Sequence, residues 1–177
     1  MQGKEFILMA NWKEISAEDL QKNPFTLIGK DWGLVTAGTK ERVNTMTVSW
    51  GGVGIMYGKP VAYLFIRPQR FTKQLIDAND TLTLSFYDDS QREMLSYMGS
   101  HSGKDEDKVQ KMNLTVAFDN EAPYFEEANL VLSLKKVYEQ DMTEKGFYDA
   151  AYVNQWYAQK DFHVMYICEI TKVLIKE

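Results

Sequence analysis

Alternation of polar and apolar residues is the feature that most limits what this chain can become. Thr81-Leu-Thr-Leu-Ser-Phe-Tyr87 keeps period two, as do much of Asn129-Leu-Val-Leu-Ser-Leu134 and parts of His163 to Ile175. Period two places successive side chains on opposite faces of a pleated strand, so each segment is expected to bury one face. Between Trp32 and Arg67 three more strand patterns follow one another: Trp32-Gly-Leu-Val-Thr-Ala37, Val43 to Trp50, and Pro60-Val-Ala-Tyr-Leu-Phe-Ile66. Six strands with few long connections predict a closed or nearly closed antiparallel barrel.

The helical signals are short and punctuate that sheet. Ser16-Ala-Glu-Asp19, Ser90-Gln-Arg-Glu93 and Ser102-Gly-Lys-Asp105 carry the S-x-x-D/E pattern of a capping box, in which side chains satisfy unpaired amides at a helix start. Thr72 precedes a helix expected over Lys73 to Ala78, and Tyr148 to Gln159 mixes Ala, Tyr and Trp at helical spacing. With 177 residues, 45% of them hydrophobic, the chain can bury one substantial core. No repeat or low-complexity linker divides it, so residues 1–177 are read as a single domain.

Several function classes are argued against. A formal net charge of -5 without any Lys/Arg-rich run disfavours nucleic acid and anionic membrane. The apolar cluster Phe6-Ile7-Leu8-Met9 is broken at once by Asn11, Lys13 and Glu14, so neither a signal peptide nor a spanning helix is expected. Cys168 stands alone in the apolar run Phe162 to Ile170, which predicts a buried, inert thiol and a cytoplasmic setting. His101 and His163 fall in no H-x-x-x-H or Cys/His pattern, so no metal site is expected. There is no G-x-S-x-G elbow, and no catalytic acid, base or nucleophile is assigned. Gly51-Gly-Val-Gly54 is not G-x-G-x-x-G, and Gly58 and Pro60 follow too soon for the helix that a Rossmann site requires.

Three short stretches carry the remaining chemistry: Asn44-Thr-Met-Thr-Val-Ser-Trp50, Arg67-Pro-Gln-Arg-Phe-Thr72 and Gly99-Ser-His-Ser-Gly-Lys104. Taken alone, the first reads equally as an ordinary strand, the second as a strand end turning into a capped helix, and the third as a loop and cap. Together they offer hydroxyls, cations and an aromatic face. Arg67, Arg70 and Thr72 stand where a strand hands over to a helix amino terminus, whose free N–H groups and dipole favour an anion. That is the chemistry of a nucleotide-type cofactor site.

The runs N-T-M-T-V-S-W-G-G, R-P-Q-R-F-T and G-S-H-S-G-K-D-E-D-K, in that order, resemble the flavin reductase-like family of FMN-binding split barrels, near the flavoredoxins, over Trp12 to Val173. The resemblance implies a mainly β fold: a six-stranded antiparallel split β-barrel of Greek-key type with short peripheral helices. It implies a homodimer with FMN held noncovalently near the subunit interface and reduced by NADH or NADPH, hence an FMN-dependent oxidoreductase. The alternative is an FMN electron carrier served by a redox protein partner. Carried over residue by residue, Asn44, Thr45, Met46, Thr47, Ser49 and Trp50 would line the ring and ribityl chain. Arg67, Gln69, Arg70, Phe71 and Thr72 would hold the phosphate side, Ser100, His101, Ser102, Gly103 and Lys104 would close over the cofactor, and Lys108 would join from the D-x-D-K continuation. Met98 stands where the family often has Cys, and Lys104 where it often has Arg, so a guanidinium fork becomes a point charge.

Because the flavin supplies its own redox chemistry, the protein's expected task is to stack one ring face on groups such as Met46 and Trp50 and leave the other open. His101 reads equally as a phosphate donor or an exposed loop residue. His163 reads as structural, and Tyr152, Trp156, Tyr157 and Phe162 as a packing cluster rather than a lid.

Overall fold

The computed structural model of the chain describes residues 12–177. The cluster Phe6-Ile7-Leu8-Met9 lies outside the described residues. Among the described residues no helix is long and apolar enough to cross a membrane.

All six expected strands form: β2 (Gly33–Thr39), β3 (Arg42–Val48), β5 (Lys59–Ile66), β6 (Thr81–Phe86), β9 (Leu130–Asp141) and β10 (Val164–Lys176). Two more, β1 (Trp12–Ile15) and β4 (Gly51–Met56), raise the sheet to eight strands, against the six expected. The ladder runs β3-β2-β6-β9-β10-β5-β4, with β1 added to β10, and every pairing is antiparallel. The result is a mainly β split barrel. The glycines of Gly51-Gly-Val-Gly54 are therefore strand residues, which weak strand propensity had concealed. Tyr57 and Gly58, both at positive φ, close the two-residue turn from β4 to β5, a conformation that matches the right-handed strand twist. A separate hairpin pairs β7 (Val116–Asp119) with β8 (Ala122–Phe125).

β10 is the spine of the barrel. It pairs with β5 through Val164 to Glu169 and with β1 through Val173 to Lys176, while β9 follows it along both stretches. Register shifts at Ile167/Cys168 and Ile170/Lys172 bend the strand enough to serve both halves. Inside, Leu64, Ile66, Leu82, Leu84, Leu132 and Tyr166 are fully buried, each large apolar side chain contributing about 1.5–3 kcal/mol. Cys168 is buried among them, and burial pushes its thiol up to about 12.

The helices depart from the serine patterns. The first α-helical turn is α1 (Pro24–Thr26), capped by the Asn23 side chain and followed by a wider turn over Leu27–Asp31. At Ala17–Asp19 a single 3-10 turn forms, and the Ser16 hydroxyl donates to the Asp19 carboxylate instead of capping an amide. Helix α2 (Phe71–Ala78) begins one residue before Thr72, which lies inside it and is buried. Ser90 sits within a 3-10 turn, Asp89–Gln91, and α3 (Arg92–Ser100) follows without a side-chain cap. Ser102 to Asp105 is a loop in which the Ser102 hydroxyl accepts from the Lys104 amide at 3.2 Å, a local bond that competes with helix formation. The helix comes later, as α4 (Lys108–Lys111), where the Asp107 carboxylate accepts from the Gln110 amide. Tyr148 to Gln159 contributes only α5 (Ala150–Trp156), capped by Asp149. α3 presses Met94, Leu95 and Met98 onto Tyr124, Phe125 and Val131, a second apolar cluster that seats the end of α3 beside the site.

Candidate functional site

Two cavities of about 290 Å³ each lie side by side where β3, the β5–α2 junction and the end of α3 meet. They share Met46 and Arg70 as a common wall. One is aromatic and the other cationic.

The aromatic cavity is lined by Met46, Thr47, Val48, Ser49 and Trp50 from the end of β3, with Phe65, Arg67, Arg70, Trp156 and His163 opposite. The indoles of Trp50 and Trp156 meet edge to face, centroids 5.0 Å apart, and the His163 ring lies 5.2 Å from Trp50. The Tyr157 hydroxyl and His163 Nδ1 are hydrogen-bonded at 2.7 Å. Burial, helped by the Arg67 charge, pulls the imidazole down to about 4, so His163 is neutral at neutral pH. Thr47 donates its hydroxyl to the Leu95 carbonyl, tying β3 to α3.

The cationic cavity is lined by Asn44, Met46, Gln69, Arg70, Phe71 and Thr72, and from the far side by Ser100, His101, Ser102, Gly103 and Lys108. Asn44 Nδ2 donates to Thr72 Oγ1 at 2.9 Å, joining β3 to α2. Gly103 rests on that amide: a Cβ there would lie 2.1 Å from Asn44 Oδ1, so the loop closes only with glycine. Arg70 Nη1 donates to the Gly99 carbonyl at 2.8 Å. Lys108, only 2% exposed, donates to the carbonyls of Met98 at 2.7 Å and His101 at 2.9 Å. These carbonyls lie at or just beyond the negative end of α3. Neither cation makes an ion pair among the described residues. Burial first, and the neighbouring Arg70 charge second, lower the Lys108 ammonium to about 8. His101 stacks on Tyr97 with centroids 3.8 Å apart and shares a hydrogen bond with Ser100 Oγ at 3.0 Å, which orients the ring at the cavity wall.

Most of the residues expected from sequence therefore converge, with three departures. Thr45 faces neither cavity: it is fully buried, 3.0 Å from the Thr36 hydroxyl and donating to the Val35 carbonyl. Lys104 does not line either cavity but a more acidic hollow on the other side of Asn44, Phe71 and Gly103, with Glu41, Asp105 and Asp107. Arg67, expected beside Arg70 on the phosphate side, lines the aromatic cavity, pairs with Asp161 and donates to the Trp156 carbonyl at 2.9 Å. Gln69 Nε2 donates to the same Asp161 carboxylate at 2.8 Å, and these bonds hold that carboxyl below its ordinary range. Trp156, His163 and Phe65 were not foreseen as lining residues. Trp156 and His163 enter the site by folding back from the far end of the chain, and the only local hint was their aromatic company. Tyr157 and Phe162 do pack, stacked at 4.8 Å.

The donor set suits a phosphate ester attached to a flat ring: two cations without carboxylate partners and several hydroxyls on one side, indoles and a thioether on the other. A split barrel carrying such a paired cavity defines a class of small β proteins with a nucleotide-type pocket at the strand-to-helix corner. The chain belongs to the flavin reductase like domain family, whose model matches residues 28–177. Among solved structures it resembles an FMN-binding domain of a flavin reductases-like enzyme from Shewanella baltica OS155, with a TM-score of 0.67 and 15% identity over 94% of this chain and 78% of that one. The flavoredoxin of Desulfovibrio vulgaris (Miyazaki F) also superposes with a TM-score of 0.67, at 21% identity over 93% and 78% of the two chains. The NADH:FAD oxidoreductase of Streptomyces globisporus C-1027 does so with a TM-score of 0.61, at 14% identity over 82% and 81%. No curated protein matches the sequence.

Proposed function

We propose that the protein binds FMN noncovalently across the two cavities and acts as a flavin reductase, passing electrons from NADH or NADPH to flavin or a small acceptor. The observation that carries this reading is the shared wall of Met46 and Arg70, which joins an indole-lined cavity to a cationic one, as a flat ring with a phosphate tail requires. Met46, Thr47, Ser49 and Trp50 would hold the ring, Asn44 the ribityl chain, and Arg70, Thr72, Ser100, Ser102 and Lys108 the phosphate, with Gly103 and His101 closing over it and Gln69 and Phe71 as its outer wall. When bound, FMN accepts a pair of electrons and releases them singly or together. The chain's own residues orient the ring and neutralise the phosphate, and neutral His163 offers a hydrogen-bonding nitrogen without adding charge. Membership of the flavin reductase like family supports the reading. It includes a homodimer and a cytoplasmic setting, the first of which sedimentation velocity tests.

A second reading, an FMN electron carrier without nicotinamide binding, is favoured by the exposed indoles of Trp50 and Trp156 at the rim, where a redox protein could approach closely. Mixing anaerobic, FMN-loaded protein with NADH and with NADPH separates the two. Rapid bleaching of the visible flavin band supports the reductase, and bleaching only by a protein donor supports the carrier.

A further inference from the structure

Between β9 and β10 the chain makes a long excursion, residues 142–163, that brings Trp156 to the rim of the aromatic cavity. The excursion has a small core of its own. Phe147, Tyr157 and Phe162 cluster at centroid distances of 4.8 to 5.9 Å, the Met142 amide donates to the His163 carbonyl, and Lys160 pairs with Glu144. Its ties to the rest of the barrel are few. Among the described residues, every hydrogen bond between residues 142–163 and the chain outside them is donated by Arg67 or Gln69. Arg67 gives one nitrogen to the Asp161 carboxylate and the other to the Trp156 carbonyl, and its guanidinium lies 5.2 Å from the centroid of Tyr157. A lysine has no fork with which to hold both partners.

The geometry points to Arg67 and Asp161 as a clip that sets Trp156 edge-on against Trp50 and so fixes the width of the cavity mouth, admitting flat aromatic reactants in preference to bulky ones. Arg67 is on this account a positioning residue, acting through Trp156. The indole pair is the gate and the ion pair its latch. An exposed surface ion pair would be too weak for the task, but this one is partly buried and is reinforced by Gln69 and by the second bond that the same guanidinium gives to the Trp156 carbonyl.

The latch can be read without flavin. Indoles held at 5.0 Å in a fixed edge-to-face geometry couple their electronic transitions, giving a circular dichroism couplet that Trp50→Phe and Trp156→Phe must each abolish. In the FMN-free full chain, Arg67→Lys and Asp161→Asn are expected to reduce the couplet to about half or less, the size given by a latch that is open about as often as it is closed. If either variant fails to fold, exposed Gln69→Glu, which sets a second carboxylate against Asp161, gives the same reading. Couplets of wild-type size in the folded variants overturn the clip. The selection step rests on the flavin reading above: with FMN bound, the KM for a flat quinone such as menadione should rise about fivefold in Arg67→Lys, more than kcat changes. A lost couplet with an unchanged KM overturns the role in selection. A chain that binds no FMN leaves the couplet result standing, so the two failures are distinguishable.

Discussion

Arg70 and Lys108 converge on the same end of helix α3: Arg70 donates to the Gly99 carbonyl at 2.8 Å, and Lys108 donates to the carbonyls on either side, Met98 and His101. Two cations are thereby held together on backbone oxygens, and their mutual repulsion is relieved by an anion in the cavity they share. Replacing Arg70 with Ala should weaken FMN binding by about 1.5–3 kcal/mol, roughly tenfold or more in Kd. Calorimetric titration of the apoprotein checks this, and equal affinity in variant and wild type would remove Arg70 from the site.

Lys108 should make FMN binding proton-linked. Its ammonium, lowered to about 8 in the free protein, is partly neutral above that pH, and a bound phosphate restores the charged form. Affinity is therefore expected to fall as pH rises past about 8, and binding at pH 8.5 should take up protons, measured by titration in buffers of different ionisation heat. Stability runs the other way. Because the folded lysine holds its proton less tightly than the unfolded one, the free protein should gain stability as pH rises from about 8 toward the ordinary lysine range. Lys108→Met should abolish the proton uptake, and uptake persisting in that variant would mean another group is responsible.

Gly103→Ala should disturb the site through Asn44. The added methyl would lie 2.1 Å from Asn44 Oδ1, forcing apart the loop and the Asn44–Thr72 hydrogen bond. An overpacking cost of about 1–3 kcal/mol is expected, seen as a lower Tm. Combining it with Asn44→Ala should recover part of the loss, since the two side chains share one clash. Strictly additive effects would show that the contact is not the cause.

Trp50→Ala should change the absorption or fluorescence quenching of bound flavin, because the indole stands at the wall of the aromatic cavity. An unchanged spectrum at full occupancy would place the ring elsewhere.

His163 should make the protein acid-sensitive. The unfolded imidazole gains its proton near pH 6.5, whereas the folded one, lowered to about 4 by burial, does not until the pH is far lower. Stability is therefore lost as pH falls through that window. The urea midpoint should drop between pH 6.5 and 4.5 in wild type and drop less in His163→Gln, and parallel curves would count against the assignment.

The strands were legible because their signal is local: alternation in Thr81 to Tyr87 reports a buried face whatever the partner strand is. β4 was hidden by its glycines, and the serine patterns misled because hydroxyls at Ser16 and Ser102 found nearer partners than helix amides. The stretches Asn44 to Trp50, Arg67 to Thr72 and Ser100 to Gly103 were likewise readable as short runs of suitable chemistry, and most of their residues meet at the two cavities.

By itself, then, the sequence determined which segments pleat and which residue types stand at the strand-to-helix corner, because both follow from neighbours a few positions away. The tertiary structure decided where each cation points. Arg67 and Arg70 are three residues apart, yet one turns to Asp161, 94 positions later, and the other to the end of α3. Likewise only folding buried Lys108 beside Arg70 and set Trp156 against Trp50. The physical reason is that a side chain's charge state and orientation depend on partners brought together by chain closure, which no local pattern encodes.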